Sequence, residues 1–144
     1  APGLRATDKL AVVHGGGSNH RFGLYDMAML KNNHITACGS ITAAVTALRA
    51  ETQVPIEVEV RSFAEFEEAL ALSIERIMLD HFSLIDMQRA VTIAAGRTPL
   101  EASGNMTLER IPAVAATGID FISVGALTHS VTALDISFTF EPTH

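Results

Sequence analysis

The chain has 144 residues, 48% of them hydrophobic, and a net charge of -6. That is enough apolar side chain for one core and too short a chain for two ordinary domains. The acidity argues against nucleic acid as the main partner, because phosphate-backbone binding needs a surplus of Lys and Arg. A single cysteine, Cys38, excludes an intrachain disulfide, and the setting this suggests is reducing and cytoplasmic. The uncharged stretch Phe121 to Leu134 is broken by Gly125, Thr128, His129 and Ser130 and falls short of a membrane span. No basic segment leading into an apolar one opens the chain, which begins at Ala1 rather than Met; the start reads as a truncation.

Charge is unevenly placed. Residues 1–34 carry Arg5, Lys9, Arg21 and Lys31 against Asp8 and Asp26, with His14, His20 and His34 added, whereas the remainder is strongly acidic. A small anionic ligand near the N-terminal third would explain that asymmetry; chance clustering is the plainer alternative.

In chain order, Leu10 to Val13 reads as a first strand. The run Gly15-Gly16-Gly17-Ser18-Asn19-His20-Arg21 follows it and combines a permissive loop with an imidazole and a cation. Arg21 is suited to bidentate pairing with a carboxylate and His20 to a hydrogen bond beside it, against the alternative of a plain flexible turn. Met27 to Leu30 is a second strand ending at Lys31, and Ser40 to Ala50 is helical. Pro55 to Val60 is a strand, after which Ser62 and Glu65 form a capping box opening a helix through Leu72. Arg76 to Leu79 is a strand ending at Asp80, and Ser83 with Asp86 marks the next helix start. Pro99 to Ala102 is a strand; Thr107 is expected to cap a helix that Gly118 ends. Phe121 to Val124 is the last strand.

The strands starting near residues 56, 76, 99 and 121 lie roughly 20 to 23 residues apart, which suits parallel strands joined by single crossover helices. The fold class is α/β, either a barrel or a doubly wound sheet. No Gly-x-Gly-x-x-Gly follows a strand, so the barrel is favoured. Six strands in this length fall short of the eight in about 250 residues of a complete barrel, so the chain reads as a partial one.

In barrels the working residues sit at the carboxyl ends of strands. Those ends deliver Lys31, Glu59, Asp80, Ser103-Gly104-Asn105 and Gly125-Ala126-Leu127-Thr128-His129. A lysine and two carboxylates at successive strand ends are costly to bury unpaired, so a shared charged ligand is one reason to keep them. Glu59 and Asp80 suit Mg²⁺, ribose hydroxyls or a positively charged sugar-like transition state. The alternative is a structural pair bridged by an arginine such as Arg61 or Arg76. The two glycine-containing segments suit a phosphate held by backbone N–H groups, or simply make tight turns. Glu57 is expected on the opposite side of its strand from Glu59, and Glu51 stands outside the set. His14, His34 and His81 read as packing or hydrogen-bonding groups, His144 as a mobile terminal residue, and Cys38 as a small buried apolar one. Metal-site spacing is absent among the histidines, so zinc is not expected.

The segments Gly15-Gly16-Gly17-Ser18-Asn19-His20-Arg21-Phe22-Gly23-Leu24-Tyr25-Asp26-Met27 and Leu30-Lys31-Asn32-Asn33-His34-Ile35 closely resemble the quinolinate phosphoribosyltransferases. Ile56-Glu57-Val58-Glu59-Val60, Ile77-Met78-Leu79-Asp80, Glu101-Ala102-Ser103-Gly104-Asn105 and Ile122-Ser123-Val124-Gly125-Ala126-Leu127-Thr128-His129 continue the likeness in the family's order. The resemblance covers essentially the whole chain, residues 1–144, and identifies it as the C-terminal part of the catalytic α/β barrel of the type II phosphoribosyltransferase kind.

It implies phosphoribosyl transfer from phosphoribosyl pyrophosphate to quinolinate with decarboxylation. It implies that His20, Arg21 and Lys31 hold the quinolinate carboxylates and neighbouring phosphates, and that Glu59 and Asp80 face the ribose and the Mg²⁺–pyrophosphate side, touching the ion directly or indirectly. Ser103, Gly104, Gly125 and His129 would then surround the 5′-phosphate. Lys31, Glu59 and Asp80 are the expected catalytic residues. Departures from the family pattern fall at Asn32, where many members have Asp, and His81, where many have Asn. Two family features are missing from the sequence: a Thr-Arg-Lys-Thr segment ahead of Pro2 that binds substrate, and an N-terminal domain that lends an arginine to a neighbouring subunit. Full-length members are accordingly expected to be homodimers or larger, with this chain alone inactive or nearly so. The other readings are a related phosphoribosyltransferase with another acceptor, such as nicotinate, and a barrel fragment that binds phosphate without catalysis.

Overall fold

The computed structural model describes residues 2–141; His144 and the start at Ala1 lie outside them. In chain order the elements are α1 (Arg5–His14), β1 (Ala28–Leu30), α2 (Asn32–Cys38), α3 (Ile41–Glu51), β2 (Ile56–Val60), α4 (Phe63–Ala71), β3 (Arg76–Asp80), α5 (Leu84–Ala94), β4 (Leu100–Ser103), α6 (Ile111–Ala115), β5 (Phe121–Ile122) and α7 (Ala126–His129). The strands form one sheet in the order β1-β2-β3-β4-β5, every neighbouring pair parallel. Spatial order equal to chain order is the arrangement of barrel strands; a doubly wound sheet would reverse at a switch point. The partial barrel is therefore what folds.

Alternation along the strands explains why this sheet has two different faces. Val58, Val60, Ile77, Leu79, Leu100 and Ala102 lie in the hydrophobic core with Ile41, Ala44 and Val45 of α3, Phe66, Ala69 and Leu70 of α4, Met87, Ala90 and Ala94 of α5, and Val114 of α6. Each large member of that set stabilises the fold by about 1.5–3 kcal/mol through burial. The intervening residues, Glu57, Glu59, Arg76, Met78, Asp80, Glu101 and Ser103, occupy the other face. Register lines them up: Glu57 is opposite Arg76, Glu59 opposite Met78, Met78 opposite Glu101, and Asp80 opposite Ser103.

Local chemistry sets the helix starts. Ser40, Ser62 and Ser83 each accept a hydrogen bond from the backbone N–H three residues on, which offsets the unpaired donors of a first turn. The reciprocal half of the expected Ser62 box lands one residue earlier, with Glu65 Oε2 accepting from the Arg61 N–H at 2.6 Å.

Four expectations are corrected. Leu10 to Val13 is not a strand but the second half of α1; four consecutive apolar residues carry no periodicity of their own, and the Ala6–Lys9 turn ahead of them starts a helix. None of the residues of α1 is buried. Thr107 does not cap a long helix: its carbonyl, not its side chain, receives the N–H groups of Arg110 and Ile111. The helix α6 then begins only at Ile111, with a proline in its first turn. Strand β5 stops at Ile122 rather than Val124. Lastly, Glu57 does not face away from Glu59: with a side-chain period of two, both point into the concave face. The short helices α2 and α7 were not anticipated.

Candidate active site

The carboxyl ends of the strands open into one cavity of about 1250 Å³. Lys31, Glu59, Asp80, Ser103, Gly104, Gly125 and His129 all line it, as does His20. Arg21 is not brought there. Its guanidinium donates to the Met27 carbonyl at 3.2 Å, and it lines an adjoining cavity of about 510 Å³ with Arg5, Asp8, Lys9 and Phe22. His20 and Lys9 border both spaces.

At the mouth of the larger cavity the charges form a chain. Lys31 Nζ lies 3.3 Å from Glu59 Oε2. Arg61 reaches Glu59 Oε1 at 3.4 Å and Asp80 Oδ2 at 3.2 Å, and the Nδ1 of His81 lies 2.8 Å from Asp80 Oδ1. The arginine bridge anticipated as an alternative is thus present, formed by Arg61. Glu59 is nearly buried while the lysine is half exposed, so the carboxylate is fixed and the ammonium is presented to the cavity. Every oxygen of both carboxylates already faces a side-chain nitrogen. A divalent ion bound directly to them does not fit this arrangement, because it would have to displace Lys31, Arg61 or His81.

Deeper in the same face lies a cluster that sequence reasoning missed. Glu57 and Glu101 are almost fully buried. Arg76 pairs with Glu101 at 2.9 Å and stacks over the Phe121 ring at 4.2 Å, while Ser123 Oγ donates to Glu101 Oε1. His20 Nε2 approaches Glu57 Oε2 to 2.9 Å and Glu101 Oε1 to 3.6 Å. The Glu57 approach is close but bent, leaving both Glu57 oxygens without an aligned hydrogen bond among the described residues. These donor atoms are close enough to suggest a metal cluster. The other ring nitrogen argues otherwise: Nδ1 accepts the Arg21 N–H at 2.9 Å, which puts the imidazole proton on Nε2, where a metal would need a lone pair. Burial, and next the Glu57 charge, push the Glu101 carboxyl above its ordinary value; Ser123, His20 and Arg76 pull it back down. The available signal was the strand period, which puts Glu57 two residues from Glu59 and Glu101 two from Ser103.

The loops around the cavity are held by specific bonds. Gly104 has φ +95°, and a Cβ there would sit 2.7 Å from the His81 ring, so only glycine fits. Arg110 donates to the carbonyls of Gly104 at 3.0 Å and Phe82 at 3.3 Å, tying the loops after β3 and β4 together. His81 has φ +60°, in the left-handed region where Asn and His are both enriched. His34 folds back to accept the Lys31 N–H at 3.0 Å, fixing the start of α2 directly behind the lysine.

Residues 1–139 match the family described as quinolinate phosphoribosyl transferase, C-terminal domain. The chain belongs to the quinolinate phosphoribosyltransferase family. It is 44% identical to quinolinate phosphoribosyltransferase [decarboxylating] 1b of Nicotiana tabacum, an alignment covering 98% of this chain and 46% of that protein. It is 47% identical to a probable nicotinate-nucleotide pyrophosphorylase [carboxylating] of Bacillus subtilis, over 94% of this chain and 48% of the relative. Among solved structures, NadC from Streptococcus pyogenes superposes with a TM-score of 0.89 at 46% identity, over 94% of this chain and 48% of that one. The nicotinate-nucleotide pyrophosphorylase from Francisella tularensis gives 0.90 at 46% identity, over 95% and 49%. The chain spans about half the length of the curated relatives it matches. Among the described residues, no helix is long and apolar enough to cross a membrane.

Proposed function

We propose that this chain supplies the ribose-, phosphate- and part of the acceptor-binding surface of an enzyme that transfers a phosphoribosyl group from phosphoribosyl pyrophosphate to quinolinate. The products are nicotinate mononucleotide, carbon dioxide and pyrophosphate, a step in NAD synthesis. The observation that carries this reading is the gathering of Lys31, Glu59, Asp80, Ser103, Gly104, Gly125 and His129 around one cavity at the strand ends. Family membership supplies the reaction class.

In that reaction the bond from the sugar carbon to pyrophosphate breaks as the quinolinate nitrogen approaches, and positive charge develops on the ribose. Fixed carboxylates next to that charge lower the barrier without reorganising. Glu59 and Asp80 are suited to this because Lys31, Arg61 and His81 already hold them in place. The half-exposed Lys31 ammonium meets an anionic group of either substrate. The turn Ser103-Gly104-Asn105, with two residues in the left-handed region, offers a concave backbone for the 5′-phosphate. His20 and Arg21 stand on the acceptor side, where orientation of the pyridine nitrogen, rather than proton transfer, is what the protein contributes. Mg²⁺ fits this site through intervening water or as the counter-ion of pyrophosphate, and none of these steps depends on direct coordination. The single cysteine suits a reducing compartment such as the cytoplasm. The complete protein is proposed to be a homodimer or larger, and this chain alone to bind phosphate groups without efficient turnover, since Arg21 stands outside the main cavity.

Isothermal calorimetry of the chain with phosphoribosyl pyrophosphate tests the reading. Binding that Lys31→Ala and Asp80→Ala both weaken is expected; no binding, or binding indifferent to both, overturns it. In a version restored to the length of its relatives, turnover of quinolinate should greatly exceed that of nicotinate, which lacks the second carboxylate.

A further inference from the structure

The loop that carries His20 and Arg21 does not hold itself in place. Three of its consecutive carbonyls turn toward α1 and receive its cations. Lys9 Nζ donates to His20 O at 2.6 Å and to Arg21 O at 2.8 Å, and Arg5 Nη1 donates to Phe22 O at 2.7 Å. The contact runs in both directions, because Asn19 Nδ2 donates to the Lys9 carbonyl at 3.0 Å. On the far side Asp26 accepts the N–H groups of Phe22 at 2.6 Å and Gly23 at 3.1 Å, and His20 Nδ1 accepts the N–H of Arg21. The peptide from His20 to Gly23 is thus gripped on its carbonyl edge by α1 and on its amide edge by its own loop. This gives α1, which buries none of its residues, a reason to be there other than packing.

We propose that Lys9 is a positioning residue for Arg21: by fixing the two carbonyls that flank it, Lys9 sets the affinity for a carboxylate-bearing acceptor while acting through Arg21, a role that rests on the phosphoribosyl-transfer reading above. Charge-assisted bonds to two adjacent carbonyls restrict the rotation of the peptide between them, which is the motion that would swing the guanidinium away from its place in the smaller cavity. An ammonium with two protons committed to carbonyls is a poor primary contact for the acceptor itself.

The decisive measurement needs no ligand. Amide hydrogen exchange is followed by NMR in the 144-residue chain and in Lys9→Met. Exchange at Arg21, Phe22 and Gly23 is expected to accelerate about tenfold or more, with β2, β3 and β4 unchanged, and Lys9→Arg, whose guanidinium can donate to both carbonyls, is expected to restore protection. Unchanged exchange at those three amides, or equal acceleration throughout the sheet, overturns the proposal. In a version restored to the length of its relatives, Lys9→Met should raise KM for quinolinate about tenfold with kcat within about twofold. A fall in kcat at constant KM would overturn it as well. Absence of quinolinate turnover in the unsubstituted protein would refute the reaction assignment, and the ligand-free exchange result would still decide the grip on Arg21.

Discussion

Asp80 has one oxygen on Arg61 and the other on His81, so its charge is held at a defined point of the cavity wall. Replacing it with alanine removes that charge from a largely covered strand end on the cavity wall rather than from the hydrophobic core. We expect Asp80→Ala to lower turnover about a hundredfold or more in a version restored to the length of its relatives. The thermal midpoint should stay close to the unsubstituted value, and unchanged turnover would remove Asp80 from the catalytic set. Glu101 behaves differently. Its carboxyl is held above the ordinary value of 4.5, chiefly by burial and then by Glu57. An acid that keeps its proton more tightly when folded binds more protons in the folded state across that window, so stability falls as pH rises through it. Urea unfolding between the ordinary value and the raised one should show this downward slope, and Glu101→Gln should flatten it. An upward slope that the substitution leaves intact would contradict the assignment. Asp26 has the opposite sign: backbone N–H groups of Phe22 and Gly23 hold its carboxyl below the usual range. Its grip on that turn is complete above the ordinary carboxylate value and is lost as pH falls through the depressed one. Exchange at Phe22 and Gly23 should therefore accelerate selectively in strong acid.

Among the elements, the turn after β4 is the one that tolerates least. A methyl group at Gly104 meets both a left-handed φ and the His81 ring, so Gly104→Ala should destabilise the chain by more than about 1 kcal/mol, measured by chemical denaturation. Ser83→Ala should cost about 1 kcal/mol by removing the bond to the Asp86 N–H, with no effect on ligand affinity. The reading of elements from sequence succeeded where a strong local signal existed. β2, β3 and β4 each pair a β-branched or aliphatic run with a serine cap just beyond or a proline just before. It failed where the signal was tertiary. The apolar half of α1 looks like a strand in isolation, yet it is helical and lies outside the five-stranded sheet. The Arg76–Glu101 and Arg61–Asp80 pairs join residues 25 and 19 positions apart, and only the register of the sheet brings them together. Strand ends pointed to Lys31, Glu59 and Asp80, and the strand period carried a signal for Glu57 and Glu101, whereas Arg110 became visible only once its neighbours were known.

At the scale of the molecule, the sheet separates two jobs by face. Leu79→Ala should cost about 2–5 kcal/mol in unfolding measurements and leave phosphoribosyl pyrophosphate affinity unaltered in the folded fraction. Glu59→Gln should do the reverse, weakening the ligand with a small change in stability; equal effects of both on both quantities would show that the faces are coupled. The consequence reaches beyond point substitutions. Since Val58 and Val60 interleave with Glu57 and Glu59 on five residues of one strand, deleting any one residue there would turn carboxylates toward the helices and valines toward the ligand. Length in β2 is therefore under harder constraint than identity: evolution can exchange letters along this strand one at a time, but it has no gradual route to shortening it.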